Sequence, residues 1–259
     1  MPVEKYKHLY GPVESWRLGR SLGIDPLSQT GKVCNFDCIY CQLGNAPAQD
    51  GERKIYVPTD QILGEIAALG DIKIDFLTFS GRGEPTLAAN LGELIDGIRN
   101  IRGERIAIIT NSTLINDPGV IDDLSKVDYV IAKLDASTVE DFQKINQPNE
   151  NIKFNDIIEG LKEFRTRYFG RFALQIMFTE ENKHCAQSLA ELAQEIEFNE
   201  VQLNTPLRDT TVKALSKTEM DKIKKYFKGI NCLYVYDQDK PKSKPINTTA
   251  TLKRRGKEC

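Results

Sequence analysis

Short, almost continuously apolar segments alternate with amphipathic helical segments along this chain, and that alternation limits its possible folds most strongly. The apolar segments are Ile74–Phe79, Ile106–Thr110, Tyr129–Leu134, Phe172–Phe178, Val201–Asn204 and Leu233–Tyr236. Strands of this composition are buried on both faces. The intervening helices are predicted over Thr59–Leu69, with Gly70 as a stop, and over Asn90–Arg102, with Glu93 at the capping-box position. Others run from Ser137, with Glu140, toward Ile145, over Asn155–Phe169, over Cys185–Ile196, and from Ser216, with Glu219, to near Gly229. Strand and helix in turn predict βαβ units on a parallel sheet. Periodicity leaves two architectures, an open doubly wound sheet and a full or partial (β/α) barrel. Both place functional groups at the C-terminal ends of the strands.

Two segments lie outside the alternation. Residues 1–30 read as a loop-rich strap, with Gly11-Pro12, Gly19, Gly23 and Pro26. Residues 237–259 form a basic tail carrying Lys240, Lys242, Lys244, Lys253, Arg254, Arg255 and Lys257. The tail is either a solvated terminus or a contact for RNA phosphate or another acidic partner. Residues 31–236 are left as the main domain, with a first strand near Gly31–Val33. The net charge of −2 gives no global field that would recruit nucleic acid or an anionic membrane. No apolar run is long enough to span a bilayer, and the polar N-terminal residues do not form a secretory leader. A cytoplasmic protein is expected.

The six cysteines are unevenly placed: Cys34, Cys38 and Cys41 fall within one short run, and Cys185, Cys232 and Cys259 are scattered. A disulfide framework would not cluster them so, and in a cytosolic chain metal ligation or catalysis is favoured. Three thiolates at C-x3-C-x2-C spacing can each hold one iron of a cubane cluster and leave the fourth iron open. A structural zinc would need a fourth protein ligand, and neither His8 nor His184 completes a zinc-finger spacing. The other three cysteines are too far apart in sequence for a compact second cluster and read as buried or incidental thiols.

Further polar residues sit where strands end. Ser80-Gly81-Arg82-Gly83-Glu84-Pro85-Thr86 follows the first buried strand, and its glycines permit a tight turn and close backbone approach. Asn111 and Ser112 either face a pocket or cap the next helix. Lys133 and Asp135, two residues apart, share one side of their strand. They either pair with each other or meet a ligand. Gln202 and Asn204 are polar residues in and at the end of a buried strand.

The cysteine spacing, with Tyr40 just before Cys41, resembles the signature of the radical S-adenosylmethionine (SAM) superfamily. That resemblance implies a partial (β/α)6 TIM-type barrel. It implies a [4Fe–4S] cluster on Cys34, Cys38 and Cys41, SAM chelated to the unique iron, and Tyr40 near the adenine. Gly81, Gly83 and Glu84 match the family's glycine-rich motif that receives the SAM ammonium, although Gly-Arg-Gly-Glu departs from the commoner Gly-Gly-Glu. From their places at strand ends Asn111, Lys133, Asp135 and Asn204 are candidate cofactor contacts, and the resemblance implies that the region of Asn204 lies beside the adenine. The implied activity is reductive SAM cleavage for hydrogen abstraction, fed by an electron donor such as flavodoxin or ferredoxin. The runs from Leu9 to Asp25, Cys34 to Gly44, Phe79 to Thr86 and Val201 to Pro206 resemble an Fe–S oxidoreductase group related to the tRNA wyosine synthases. A tRNA substrate is one implication of that second resemblance. No cysteine precedes Cys34, so the second cluster of most wyosine synthases has no counterpart here. The alternatives are a glycyl-radical-type protein activase and a non-enzymatic iron–sulfur or zinc binding module.

Overall fold

The computed structural model describes residues 6–255 except 29–30, 45 and 209. Its strands, in chain order, are β1 (Leu9–Ser15), β2 (Gly19–Ile24), β3 (Phe76–Phe79), β4 (Arg105–Thr110), β5 (Tyr129–Lys133), β6 (Arg171–Met177), β7 (Glu200–Asn204) and β8 (Cys232–Tyr234). The helices are α1 (Thr59–Ala67), α2 (Leu91–Ile101), α3 (Pro118–Leu124), α4 (Val139–Asn146), α5 (Phe154–Arg167), α6 (Ala186–Glu195), α7 (Lys217–Lys224) and α8 (Thr248–Arg255). All eight strands lie in one sheet in sequential order. β1 and β2 are antiparallel, and every pairing from β2 to β8 is parallel. The sheet curls into a partial barrel. This selects the barrel from the two architectures that periodicity left open.

The period-two alternation of the strands divides the interior in two. Leu22, Leu77, Ile106, Ile108, Val130, Phe172, Leu174, Val201 and Leu203 face outward and pack under the helices in the main core. Leu18, Phe76, Ala107, Tyr129, Ile131 and Ala173 face inward as a smaller cluster. Phe76 and Tyr129 begin their strands, so this cluster forms the floor of the barrel, away from the C-terminal ends. A polar group completes that level: Tyr129 Oη donates to Glu200 at 2.5 Å, Gln202 Nε2 donates to Tyr129 Oη at 2.6 Å, and Arg171 pairs with Glu200.

The two flanking segments differ from the sequence expectation. The strap expected over 1–30 is largely the β1–β2 hairpin, and β2, not Gly31–Val33, opens the parallel sheet. Its glycines were misleading because Gly23 lies under the Tyr10 ring, where a Cβ would come within 2.1 Å of ring carbons. The tail is not simply solvated: α8 packs along β1, and Arg254 is buried on Asp25 at 2.6 Å. Lys257 and Cys259 lie outside the described residues. Two caps also differ. The Asn90 side chain donates to Val57 O and Thr59 Oγ1 rather than capping α2, and Thr138, not Ser137, caps α4. The Ser216–Glu219 capping box on α7 forms as expected.

Candidate active site

The cysteine loop follows β2 and is held at the barrel mouth by its backbone. Val33 N donates to Arg82 O at 2.8 Å and Glu84 N donates to Val33 O at 2.9 Å, a parallel bridge between the two loops. Asp37 N and Ile39 N donate to carbonyls at the end of α4. This contact explains the glycines. A Cβ on Gly83 would lie 1.5 Å from Val33 O, and Gly81, with φ of +144°, has the Asp25 carboxyl where a Cβ would go.

Donors surround the sulfurs. Asn111 Nδ2 lies 3.7 Å from Cys34 Sγ and Asn146 Nδ2 lies 3.4 Å from Cys38 Sγ. Asn111 Nδ2 also donates to Asn35 Oδ1 at 2.7 Å, which fixes the loop laterally. Burial pushes the Cys34 and Cys38 thiols up, Cys38 to about 11. Uncharged thiols are therefore the stable form without a metal, and a cation would displace their protons.

Among the described residues, the only three candidate ligand atoms all within 4.8 Å of one another belong to Asp141, His184 and Cys185. The sulfurs of Cys34, Cys38 and Cys41 therefore do not close as tightly as a single tetrahedral zinc requires, where Zn–S bonds of about 2.3 Å put sulfurs about 3.8 Å apart. Three thiols on one loop, two of them with an amide N–H alongside, are a donor set that an iron–sulfur cluster would suit.

Tyr40 is clamped. Its hydroxyl donates to Asp135 Oδ2, which also accepts from Asn146 Nδ2 at 3.0 Å. Asp135 Oδ1 accepts from Met177 N at 2.7 Å, and Lys133 Nζ lies 3.5 Å from it and 5.0 Å from the Tyr40 ring centre. Lys133 and Asp135 therefore pair with each other, as one of their two readings had it. Together they lock the residue that precedes Cys41.

Glu84 is turned inward. Its carboxylate accepts from Thr86 N, Thr86 Oγ1, Thr110 Oγ1 and Asn111 N at 2.5–3.1 Å. With four protein donors it braces the Gly-Arg-Gly turn against the end of β4, and it does not line the cavity described next. The direct ligand contact expected of its side chain is replaced by that brace. Gln202 likewise faces the floor cluster, and only Asn204 of that pair reaches the cavity.

A cavity of about 700 Å³ fills the barrel interior. Cys34, Cys41, Tyr40, Gly81, Gly83 and Asn204 line its mouth. Trp16 and Arg17, in the β1–β2 turn, line it lower down. Sequence reasoning missed Asn35 and Asn146, because an asparagine's role depends on a partner distant in the chain. It also missed Arg17, which sits in a stretch read as loop.

The radical SAM superfamily model matches residues 28–193. The UPF0026 protein slr1464 of Synechocystis sp. is 42% identical over 206 residues, 77% of this chain and 76% of that protein. Streptococcus suis SuiB bound to S-adenosylmethionine superposes with a TM-score of 0.58 at 15% identity, over 79% of this chain and 48% of SuiB. Archaeal TYW1 superposes with a TM-score of 0.53 at 16% identity, over 82% of this chain and 72% of TYW1. At such identities these two structures show the fold alone. Among the described residues no helix is long and apolar enough to cross a membrane. Sequence match, barrel and cysteine loop agree: the chain is an enzyme that belongs to the radical SAM superfamily, within its UPF0026 group.

Proposed function

We propose that this chain reductively cleaves SAM at a [4Fe–4S] cluster held by Cys34, Cys38 and Cys41. The observation that carries the reading is that Cys34, Cys41, Tyr40, Gly81 and Gly83 converge on one cavity at the C-terminal ends of the strands. When bound there, the reduced cluster supplies the electron that splits SAM into methionine and a 5′-deoxyadenosyl radical, which takes a hydrogen atom from the substrate.

The chain's own residues position and exclude. Asn111 and Asn146 direct N–H groups toward two of the sulfurs, where they stabilise thiolate charge. Asp135 and Lys133 fix the Tyr40 ring, which presents a flat wall to an adenine. Gly81 and Gly83 line the cavity beside Cys34 and Cys41, and their backbone is the part of this turn that would meet the cofactor's ammonium. The barrel wall keeps water from the radical. An external one-electron donor such as flavodoxin or ferredoxin feeds the site.

Membership of an enzyme superfamily sets aside the non-enzymatic binding module. The expected tRNA substrate rests on the wyosine synthase resemblance, and the likeness to TYW1 supports the fold without adding to it.

Anaerobic reconstitution should load about four irons per chain. Reduction with dithionite in the presence of SAM should then release 5′-deoxyadenosine, and Cys38→Ala should abolish both. Stable loading of a single zinc, with no 5′-deoxyadenosine, would overturn the reading.

A further inference from the structure

A second set of metal-ligand side chains lies away from the cysteine loop. Asp141 stands in the first turn of α4, and His184 and Cys185 end the short 3-10 turn Lys183–Cys185 that leads into α6. Asp141 Oδ1 lies 3.2 Å from His184 Nε2, and Asp141 Oδ2 lies 3.2 Å from Cys185 Sγ. That sulfur lies 3.5 Å from the same Nε2. A carboxylate, an imidazole nitrogen and a thiol thus converge on one point from two elements distant in the chain, with their ligand atoms all within 4.8 Å of one another.

The convergence separates two chemistries. A nucleophilic relay uses both imidazole nitrogens, one toward the thiol and the other toward the carboxylate. Here thiol and carboxylate face the same nitrogen, which in a neutral ring can donate or accept but not both. A metal ion asks for all three donors around one point. Tetrahedral zinc, with bonds of about 2.3 Å to sulfur and about 2.0–2.2 Å to nitrogen and oxygen, sets its donors about 3.3–3.6 Å apart. The observed 3.2, 3.2 and 3.5 Å need only small adjustments to meet that spacing.

The surroundings suit an ion. Cys185 is buried, yet its sulfur meets a carboxylate and an imidazole as well as apolar neighbours. Thr138 Oγ1 donates to Asp141 Oδ2 at 2.8 Å and orients the carboxylate, as partners behind a metal ligand do. The flanking lysines are committed elsewhere, Lys144 to Glu181 and Lys183 to Glu180 and Glu219. The His184 side chain is 62% exposed, so an ion and a water can reach the point of convergence from solvent.

We propose that Asp141, His184 and Cys185 form a zinc site, with water in the fourth position, separate from the cluster-binding cysteines. A thiolate with an imidazole selects Zn²⁺ over Mg²⁺ and Ca²⁺, which take oxygen ligands. On binding, the Cys185 S–H bond breaks, its proton leaves to solvent and an S–Zn bond forms. The thiolate and the carboxylate then balance the two charges of the ion. The ion ties the start of α4 to the start of α6. The far end of α4, five residues and about 7.5 Å from Asp141, carries the carbonyls that receive Asp37 N and Ile39 N and the Asn146 amide beside Cys38. The zinc site therefore anchors the helix on which the cysteine loop rests.

The test uses the anaerobically reconstituted holoenzyme, in which iron already fills the cysteine loop. Zn²⁺ is titrated in competition with a chromophoric chelator, beside His184→Ala, Cys185→Ser and Cys38→Ala, and the zinc-loaded parent is examined by X-ray absorption at the zinc edge. The parent should hold one zinc per chain, with sulfur at about 2.3 Å and nitrogen or oxygen at about 2.0–2.2 Å. His184→Ala and Cys185→Ser should each weaken zinc at least tenfold with iron content at the parent level, and Cys38→Ala should keep the zinc. No zinc on the parent, or parent-level affinity in His184→Ala, would overturn the proposal. A zinc environment without sulfur would overturn it too, because Cys185 would then be no ligand. Zinc lost in Cys38→Ala and kept in His184→Ala would assign the ion to the cysteine loop and overturn this site. Iron beyond that of the cluster, removed by His184→Ala and not replaced by zinc, would overturn the choice of metal. If Cys185→Ser does not fold, the exposed His184 decides, since its removal leaves the packing in place.

Discussion

Replacing Gly83 by alanine tests how the two loops at the mouth are joined. The added Cβ would start 1.5 Å from Val33 O and 2.4 Å from its carbonyl carbon. Ordinary contact begins near 3.4 Å, so the loops must separate by about 1.9 Å. Hydrogen bonds of 2.8 and 2.9 Å, from Val33 N to Arg82 O and from Glu84 N to Val33 O, do not survive that displacement. Two lost backbone bonds cost about 1–3 kcal/mol. A domain with a stability of about 5–15 kcal/mol stays folded after such a loss. The damage therefore falls on the geometry of the cysteine loop rather than on the barrel. The assay is iron content after anaerobic reconstitution, SAM affinity by equilibrium dialysis, and a melting curve. Gly83→Ala should remain folded, melt a few degrees lower, and lose most of its cluster loading and SAM binding. Gly31→Ala is the control, because its Cβ would meet nothing within 4 Å and should change none of these readings. Parent-level iron and SAM affinity in Gly83→Ala would refute the close-approach argument.

Two further predictions concern charge. Asp135→Asn swaps an acceptor oxygen for an N–H₂ in a site built from the donors Tyr40 Oη, Asn146 Nδ2 and Met177 N. It should cost about 1–3 kcal/mol of stability and loosen SAM binding, and unchanged SAM affinity would show that Tyr40 needs no clamp. Glu219 is held down to about 2, first by the Ser216 hydroxyl and amide and then by Lys183. A carboxyl depressed in the folded state stabilises above its unfolded value of ~4.3 and loses that contribution as pH falls toward about 2. Glu219→Gln should flatten the fall in melting temperature across that window, and an unchanged slope would exclude the capping box as a contributor.

Features whose signal is local were readable from the sequence. The cysteine spacing, the Gly-Arg-Gly turn and six strand positions each announce themselves within a few residues. The Ser216–Glu219 cap was legible for the same reason. Features that depend on a distant partner were not. Nothing near Arg254 says that it will be buried, because its partner Asp25 is 229 positions away. The β1–β2 hairpin looked like loop because of its glycines, one of which, Gly23, serves packing under Tyr10 rather than a turn. Glu84 was read as a SAM contact from its motif, but which way its carboxylate turns depends on Thr110 and Asn111 one strand further on.

The Asp25–Arg254 pair bears on the order in which the molecule matures during synthesis. Asp25 accepts from Arg82 N at 3.3 Å and sits where a Gly81 side chain would otherwise be, so it is part of the turn beside the cysteine loop. Its counter-charge is made 229 residues later, ~10–45 s at ordinary translation rates. Through that interval the carboxyl is either solvated or buried without its cation. The mouth is therefore finished only after α8 has emerged and docked on β1. Iron delivered to the nascent chain would meet a mouth that still lacks this ion pair, whereas iron delivered after release would meet it complete.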